Sequence, residues 1–152
     1  KTLSNFGLSS LSKHATPTLE VAASCEHVTV YGESIELELV VLNLLRNAAQ
    51  AAAESSTRPH VRIEVCLDRL ADRKLLLSVT DSGEPIPDAV VRNLAEPLTS
   101  SKPDGLGLGL AICRTIIERM GGIITFDHGT EGRGLKVSIQ LPCAGRTEEN
   151  HD

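Results

Sequence analysis

Polar side chains recur along one line of an otherwise aliphatic stretch. In Leu39-Val40-Val41-Leu42-Asn43-Leu44-Leu45-Arg46-Asn47-Ala48 and the residues just after it, Asn43, Asn47, Gln50 and Glu54 fall within about 60° of one another on a helical projection. Glu36 lies on the same line, while Val41, Leu44, Leu45, Ala48 and Ala52 take the opposite, core-seeking face. Asparagine is a poor helix former, and a face that is merely solvated favours Glu, Lys or Gln. Two asparagines on one line therefore suggest a ligand as well as the blander solvated face. An amide carbonyl can ligate Mg²⁺ without adding charge and leaves room for water and phosphate oxygens.

Two further segments carry chemistry. Val79-Thr80-Asp81-Ser82-Gly83-Glu84-Pro85-Ile86-Pro87 places an aspartate at the end of an apolar strand. Asx-Gly is a common way to leave a strand. The same pair can also present a carboxylate to an exocyclic amine, with Gly83 letting a flat ring approach the backbone. Gly105-Leu106-Gly107-Leu108-Gly109-Leu110-Ala111-Ile112 sets three alternate glycines ahead of an amphipathic helix. Successive backbone N–H groups at the positive end of a helix dipole make an anion site, and Lys102 just upstream can add a charge to phosphate. Close helix–sheet packing is the structural alternative. A dinucleotide-binding reading draws support from Asp127, twenty residues after Gly107, but Leu110 occupies the place of the third glycine and a polar loop precedes the run.

The remaining composition narrows the field. With 152 residues, 41% of them hydrophobic and 23% charged, the chain is one globular domain's worth. Aromatic residues are 2%, which predicts an aliphatic core and excludes base-stacking platforms for single-stranded nucleic acid. A net charge of −5 disfavours broad binding to nucleic acid or anionic membrane, and no apolar run reaches the ~18 residues of a membrane span. Cys25, Cys66, Cys113 and Cys143 have no zinc-ligand spacing and read as reduced, buried thiols of a cytosolic domain. The chain begins with Lys1, as expected of a piece of a longer protein.

The elements that must position these residues follow from periodicity. Strands are expected at Thr18 to Ala23 and Val28 to Tyr31, then a long helix from Ser34, as N-cap, to Glu54. Val61, Ile63, Val65 and Leu67 alternate as a half-buried strand, and Leu75 to Val79 suits a central one. A short helix is expected near Asp88 to Leu94 and a second long one from Gly105 to the Gly121-Gly122 stop. Strands at Ile123 to Phe126 and Leu135 to Leu141 close the chain. The expected fold is α+β, a two-layer sandwich of about three helices on a mixed, mostly antiparallel five-stranded sheet. Residues 1–16 read as a connector or a remnant of a preceding element, 17–143 as the folded domain and 144–152 as a disordered polar tail.

In this order and spacing the segments resemble the ATP-binding catalytic domain of two-component sensor histidine kinases, in the ATPase family shared with DNA gyrase and the MutL repair proteins. The stretch Leu37 to Ala48 is similar to the family's asparagine box, and Asp81-x-Gly83 to its first glycine box. Pro97-Leu98-Thr99-Ser100-Ser101-Lys102-Pro103 with Gly105 to Leu110 resembles the lid and second glycine box of the nitrogen- and dicarboxylate-sensing subgroup. Gly132-Arg133-Gly134, leading to Leu141-Pro142, resembles the closing strand. The resemblance implies ATP and Mg²⁺ as cofactors: Asn47 on the metal, Asn43 on the phosphates or their waters, Asp81 on the adenine amine, and Gly83 and Ile86 lining the base pocket. Lys102 and the amides of Gly105, Leu106, Gly107, Leu108, Gly109 and Leu110 would hold the triphosphate. In the hydrolytic relatives the position of Asn43 carries a water-activating glutamate. An amide there fits transfer of the γ-phosphoryl to a protein histidine, with Asn43 and Lys102 as the catalytic pair.

The departures are Pro85 in place of a second glycine, a lid with Ala95, Leu98 and Thr99 for the usual Phe residues, and Leu135 for an expected Thr. The phosphoacceptor histidine is expected on a separate dimerisation domain. His14-Ala15-Thr16-Pro17 has too short a His-to-Pro spacing to supply it. The implied partners are that domain and a response-regulator receiver domain, with a cytoplasmic location inside a parent protein that can be membrane-anchored. The rival readings are a degenerate nucleotide-binding scaffold and an anti-sigma-type serine kinase.

Overall fold

A computed structural model describes residues 16–21, 28–55, 60–68, 74–94 and 106–146. In chain order the elements are β1 (Thr16–Val21), β2 (Val28–Val30), α1 (Ser34–Ala53), β3 (His60–Asp68), β4 (Lys74–Asp81), α2 (Asp88–Asn93), α3 (Leu106–Arg119), β5 (Ile123–His128), a 3-10 turn (Thr130–Gly132) and β6 (Leu135–Arg146). β1 pairs parallel with β3, whereas β3 with β4, β4 with β6 and β5 with β6 are antiparallel. The result is a five-stranded, mostly antiparallel sheet in the spatial order β1-β3-β4-β6-β5. The three-residue β2 is a sixth strand, paired to the far end of β6 through Val28–Arg146 and Val30–Cys143.

α1 and α3 pack side by side on this sheet and α2 leans on β5. Together the three helices and the sheet are the expected sandwich. The core is aliphatic: Val40, Leu44, Leu45, Ala48 and Ala52 of α1 meet Leu110, Cys113 and Ile117 of α3 over Val61, Val79, Val137, Ile139 and Leu141. Phe126 only packs against its edge. Val40 is fully buried and Val41 only half-buried, so the core face of α1 is turned from the projected one. The reason is that α1 faces two partners, the sheet and α3, and Val40 lies on the α3 side.

Three local expectations are corrected. Ser34 is already helical, and the N-cap is Glu33, in extended conformation with no side-chain cap bond. β1 begins two residues before the expected Thr18. β6 runs to Arg146, into the stretch expected to be tail, because β2 offers that segment a pairing partner. The expected stop of α3 holds: Gly122 N–H donates to Ile117 C=O at 2.9 Å and Gly121 N–H to Glu118 C=O at 3.0 Å. Gly121 sits at φ 77°, the left-handed turn that ends a helix in this pattern. Among the described residues no helix is long and apolar enough to cross a membrane.

Candidate functional site

α1 carries the polar stripe along its outward side, but the stripe divides. Glu36 is drawn away to Arg119, on the last turn of α3, at 2.6 Å, and Gln50 bonds Glu54 at 3.4 Å on the surface. Asn43 and Asn47 are half-buried instead. The Asn47 amide nitrogen is enclosed and has no partner among the described residues. A buried donor without an acceptor costs about 1–3 kcal/mol, a cost that a bound anion would remove.

α3 approaches α1 at this point. A Cβ placed on Gly109 would lie 3.2 Å from Asn43 Oδ1, so the absence of a side chain there lets the glycine-run helix lie against the asparagine. One turn further along α3, Cys113 is fully buried, with its thiol 3.9 Å from the Val40 carbonyl and beside the Asn43 amide. Burial pushes the thiol from an ordinary 9.0 up to about 11, against weaker opposing hydrogen bonds from its own backbone and from Asn43. The protonated form is thus the one the fold favours. Its contribution to stability is complete below pH 9 and is lost as the pH rises through about 11. At pH 8 the thiolate fraction is about 100-fold below that of an ordinary cysteine. Alkylation followed by peptide mass mapping should label half-buried Cys143 while Cys113 stays unmodified. Equal labelling of the two would show that Cys113 is not enclosed.

The other end of the site lies further along α1. Asp81, the last residue of β4, is 7% exposed. Its Oδ1 accepts from Gly83 N–H at 2.8 Å, and Oδ2 from Leu135 N–H at 3.4 Å. Burial raises its pKa above the ordinary carboxylate value, and these two backbone donors oppose the rise. Leu135, which stands in place of the family's Thr, meets the carboxylate through its backbone amide. Gly83 is buried against α1, and a Cβ there would lie 3.3 Å from both the Cβ and the carbonyl oxygen of Ala51. Gly134, at φ 65°, presses its Cα onto the Asp81 carbonyl and carboxylate.

These contacts spread one site along α1. Asn43 meets Gly109 at one end and Ala51 meets Gly83 at the other, about 12 Å apart at 1.5 Å per residue. Amide donors and the start of α3 occupy the first end, and a buried carboxylate under a glycine turn the second. The surface therefore offers hydrogen-bond donors at one end and a buried acceptor at the other.

Of the residues singled out in the sequence, Asn43 is set against Gly109 and Asp81 against Gly83, and Asn47 lies on α1 between these two contacts. Ile86 is half-buried just beyond the turn, and Leu106 to Leu108 form the first turn of α3. Leu110 sends its side chain into the core, which leaves it a backbone share at most. Lys102, Gly105 and the expected lid lie outside the described residues. Cys113, Gly134 and Arg133 were not read as site residues. The Gly-Arg-Gly spacing was the one available signal for the last two.

Residues 32–145 match the family described as the histidine kinase-, DNA gyrase B- and HSP90-like ATPase, and the chain belongs to that family. It is an ATP-binding catalytic domain of the histidine-kinase type, homologous to sensor histidine kinases. The sensory histidine kinase/phosphatase NtrB of Azospirillum brasilense is 37% identical over 121 residues, 74% of this chain and 30% of that protein. The C4-dicarboxylate transport sensor protein DctS of Rhodobacter capsulatus is 39% identical over 114 residues, 74% of this chain and 17% of that protein. The chain thus spans a third or less of the length of these relatives. Among solved structures, a mycobacterial sensor histidine kinase, MprB, superposes with a TM-score of 0.73 at 26% identity, over 92% of this chain and 91% of that one.

Proposed function

We propose that this domain binds Mg·ATP along the outward side of α1 and donates the γ-phosphoryl group to a histidine on a separate dimerisation domain. From there the phosphoryl group would pass to an aspartate of a response-regulator receiver domain. The observation that carries the reading is the placing of two enclosed, chemically opposite groups on one side of the sandwich, one on α1 and one at the end of β4. The unpartnered Asn47 amide lies towards the anion end, and the buried Asp81 carboxylate lies at the base end.

The residues fit the metal as well as the nucleotide. Among the described residues no three His, Cys, Asp or Glu side chains cluster as a metal site. A divalent ion here would take an amide oxygen of Asn47 and complete its shell with phosphate oxygens and water, as Mg²⁺ does. Its chemistry would be charge neutralisation on the polyphosphate. The protein's own part is positioning. Asp81 accepts from the exocyclic amine of adenine, and Gly83 clears space for the ring. The free N–H groups of the first turn of α3 face the phosphates. Asn43, held between Gly109 and Cys113, offers an amide where hydrolytic relatives have a glutamate. It cannot take a proton from water, and so favours an imidazole nucleophile over hydrolysis.

Calorimetric titration with ADP and a non-hydrolysable ATP analogue, with and without Mg²⁺, tests the reading. Micromolar binding with Mg²⁺ dependence for the triphosphate is the expected result, and folded protein that binds neither nucleotide would refute it. Asn47→Asp places a negative charge beside the phosphates and should weaken Mg-dependent binding of the ATP analogue by at least about tenfold. Unchanged affinity for nucleotide and for Mg²⁺ would remove Asn47 from the site.

A further inference from the structure

We propose that Arg133 is a positioning residue for the base end of the site, holding the Asp81-Gly83 turn in register for adenine. The inference rests on the nucleotide-binding reading above and extends it to the middle residue of Gly132-Arg133-Gly134, to which the resemblance gave no role.

Arg133 stands between the 3-10 turn and β6, in a loop with three left-handed residues: Glu131 at φ 57°, Gly132 at φ 73° and Gly134 at φ 65°. Glu131 is not a glycine, and a side chain seldom holds this conformation unless the surroundings impose it. The curl brings the guanidinium onto two other elements at once. Nη2 reaches Ser55 Oγ, just past the end of α1, at 3.4 Å, and Glu84 Oε2, in the turn after Asp81, at 3.6 Å. Ser55 is also within 3.3 Å of Glu84 Oε1. Alongside, Gly134 N–H donates to the Glu84 carbonyl at 3.2 Å, next to the Leu135 bond to Asp81. Arg133 therefore ties the α1 terminus, the Asp81 turn and the β5–β6 loop together behind the carboxylate.

Stability alone does not account for this residue. The Arg133–Glu84 pair is partly solvated, where ion pairs contribute little. The Arg133 Nε is enclosed with no partner among the described residues, which is unfavourable for folding. What the arrangement secures is the position of Glu84, and with it the backbone that carries Gly83 and aims Asp81. Adenine depends on that aim through its amine. Guanine presents a carbonyl at the same place and does not.

The test is titration of wild type, Arg133→Met and Arg133→Lys with ADP and with GDP, together with thermal unfolding of each. Arg133→Met keeps the aliphatic stem and removes the tie. It should weaken ADP binding by about tenfold while leaving GDP binding unchanged, so that base selectivity falls by the same factor. Its unfolding midpoint should stay close to wild type, and Arg133→Lys should recover part of the selectivity. Unchanged selectivity in Arg133→Met would overturn the proposal. So would a parallel loss of ADP affinity, GDP affinity and stability, which would make Arg133 an ordinary structural residue. Wild-type protein that binds neither nucleotide would overturn the nucleotide-binding reading itself and this inference with it.

Discussion

Gly134→Ala is expected to lower the stability of the domain by about 3–5 kcal/mol, a fall in unfolding midpoint on the order of 10 °C, and to abolish nucleotide binding. Two costs combine. At φ 65° any Cβ is strained, at about 1–2 kcal/mol. The added carbon would also collide with the Asp81 carbonyl oxygen and Oδ1, and lie 2.8 Å from Gly83 N. Two of these three are backbone atoms, and the third belongs to a short side chain already bound to Gly83. Asp81 is paired with Val61 across the sheet, so it cannot withdraw without breaking the end of β4. Gly132→Ala is the control: it has a similar φ of 73° but nothing within 4 Å of the new carbon. It should cost only the left-handed strain, about 1 kcal/mol, and keep binding. Circular-dichroism melts with ADP titration separate the two variants. A Gly134→Ala protein that melts and binds like wild type would show that the loop yields and does not brace Asp81.

Asp81→Asn should separate binding from folding. Removing the charge should cost about 1–3 kcal/mol in adenine-nucleotide affinity, roughly 10- to 100-fold, because the acceptor of the exocyclic amine becomes a weaker or mismatched partner. Stability should change by no more than about 1 kcal/mol, since two effects oppose. Burial raises the Asp81 pKa, so the fold favours the neutral carboxyl and the ionised group carries a cost above its ordinary titration range. As pH rises through that range the wild type loses this part of its stability, and the neutral amide avoids the loss. Against this, an Asn that keeps its oxygen on Gly83 N–H turns its NH₂ towards Leu135 N–H, donor facing donor. GTP affinity should be unaffected. Equal losses for ATP and GTP, or a large fall in melting temperature, would mean that Asp81 acts through the fold and not through the base.

Much of this was legible in one dimension. Helical periodicity separated the Asn43–Asn47 line from the core of α1, because a helix buries a face and the residue pattern records which one. Alternation and apolar runs located the strands to within a few residues. Gly121-Gly122 marked the end of α3, since few other pairs can make that turn. The scarcity of aromatic residues announced an aliphatic core. Where the reading slipped, a tertiary neighbour was the cause: β2 extended β6 past the expected tail, α3 turned the buried face of α1 towards Val40, and Arg119 removed Glu36 from the polar stripe.

What only the tertiary structure decided is which residues share a surface. Gly109 against Asn43, Cys113 beneath the same amide, Gly134 on Asp81, and Arg133 between Ser55 and Glu84 each join residues far apart in the chain. Periodicity reports on neighbours within a turn or along a strand, and it carries no information on such distances. The chemical groups of the site were thus written in the order of the residues. Their enclosure was not. It is enclosure that leaves the Asn47 amide nitrogen without a partner among the described residues and raises the pKa of Asp81, because both effects come from the removal of water from those two groups.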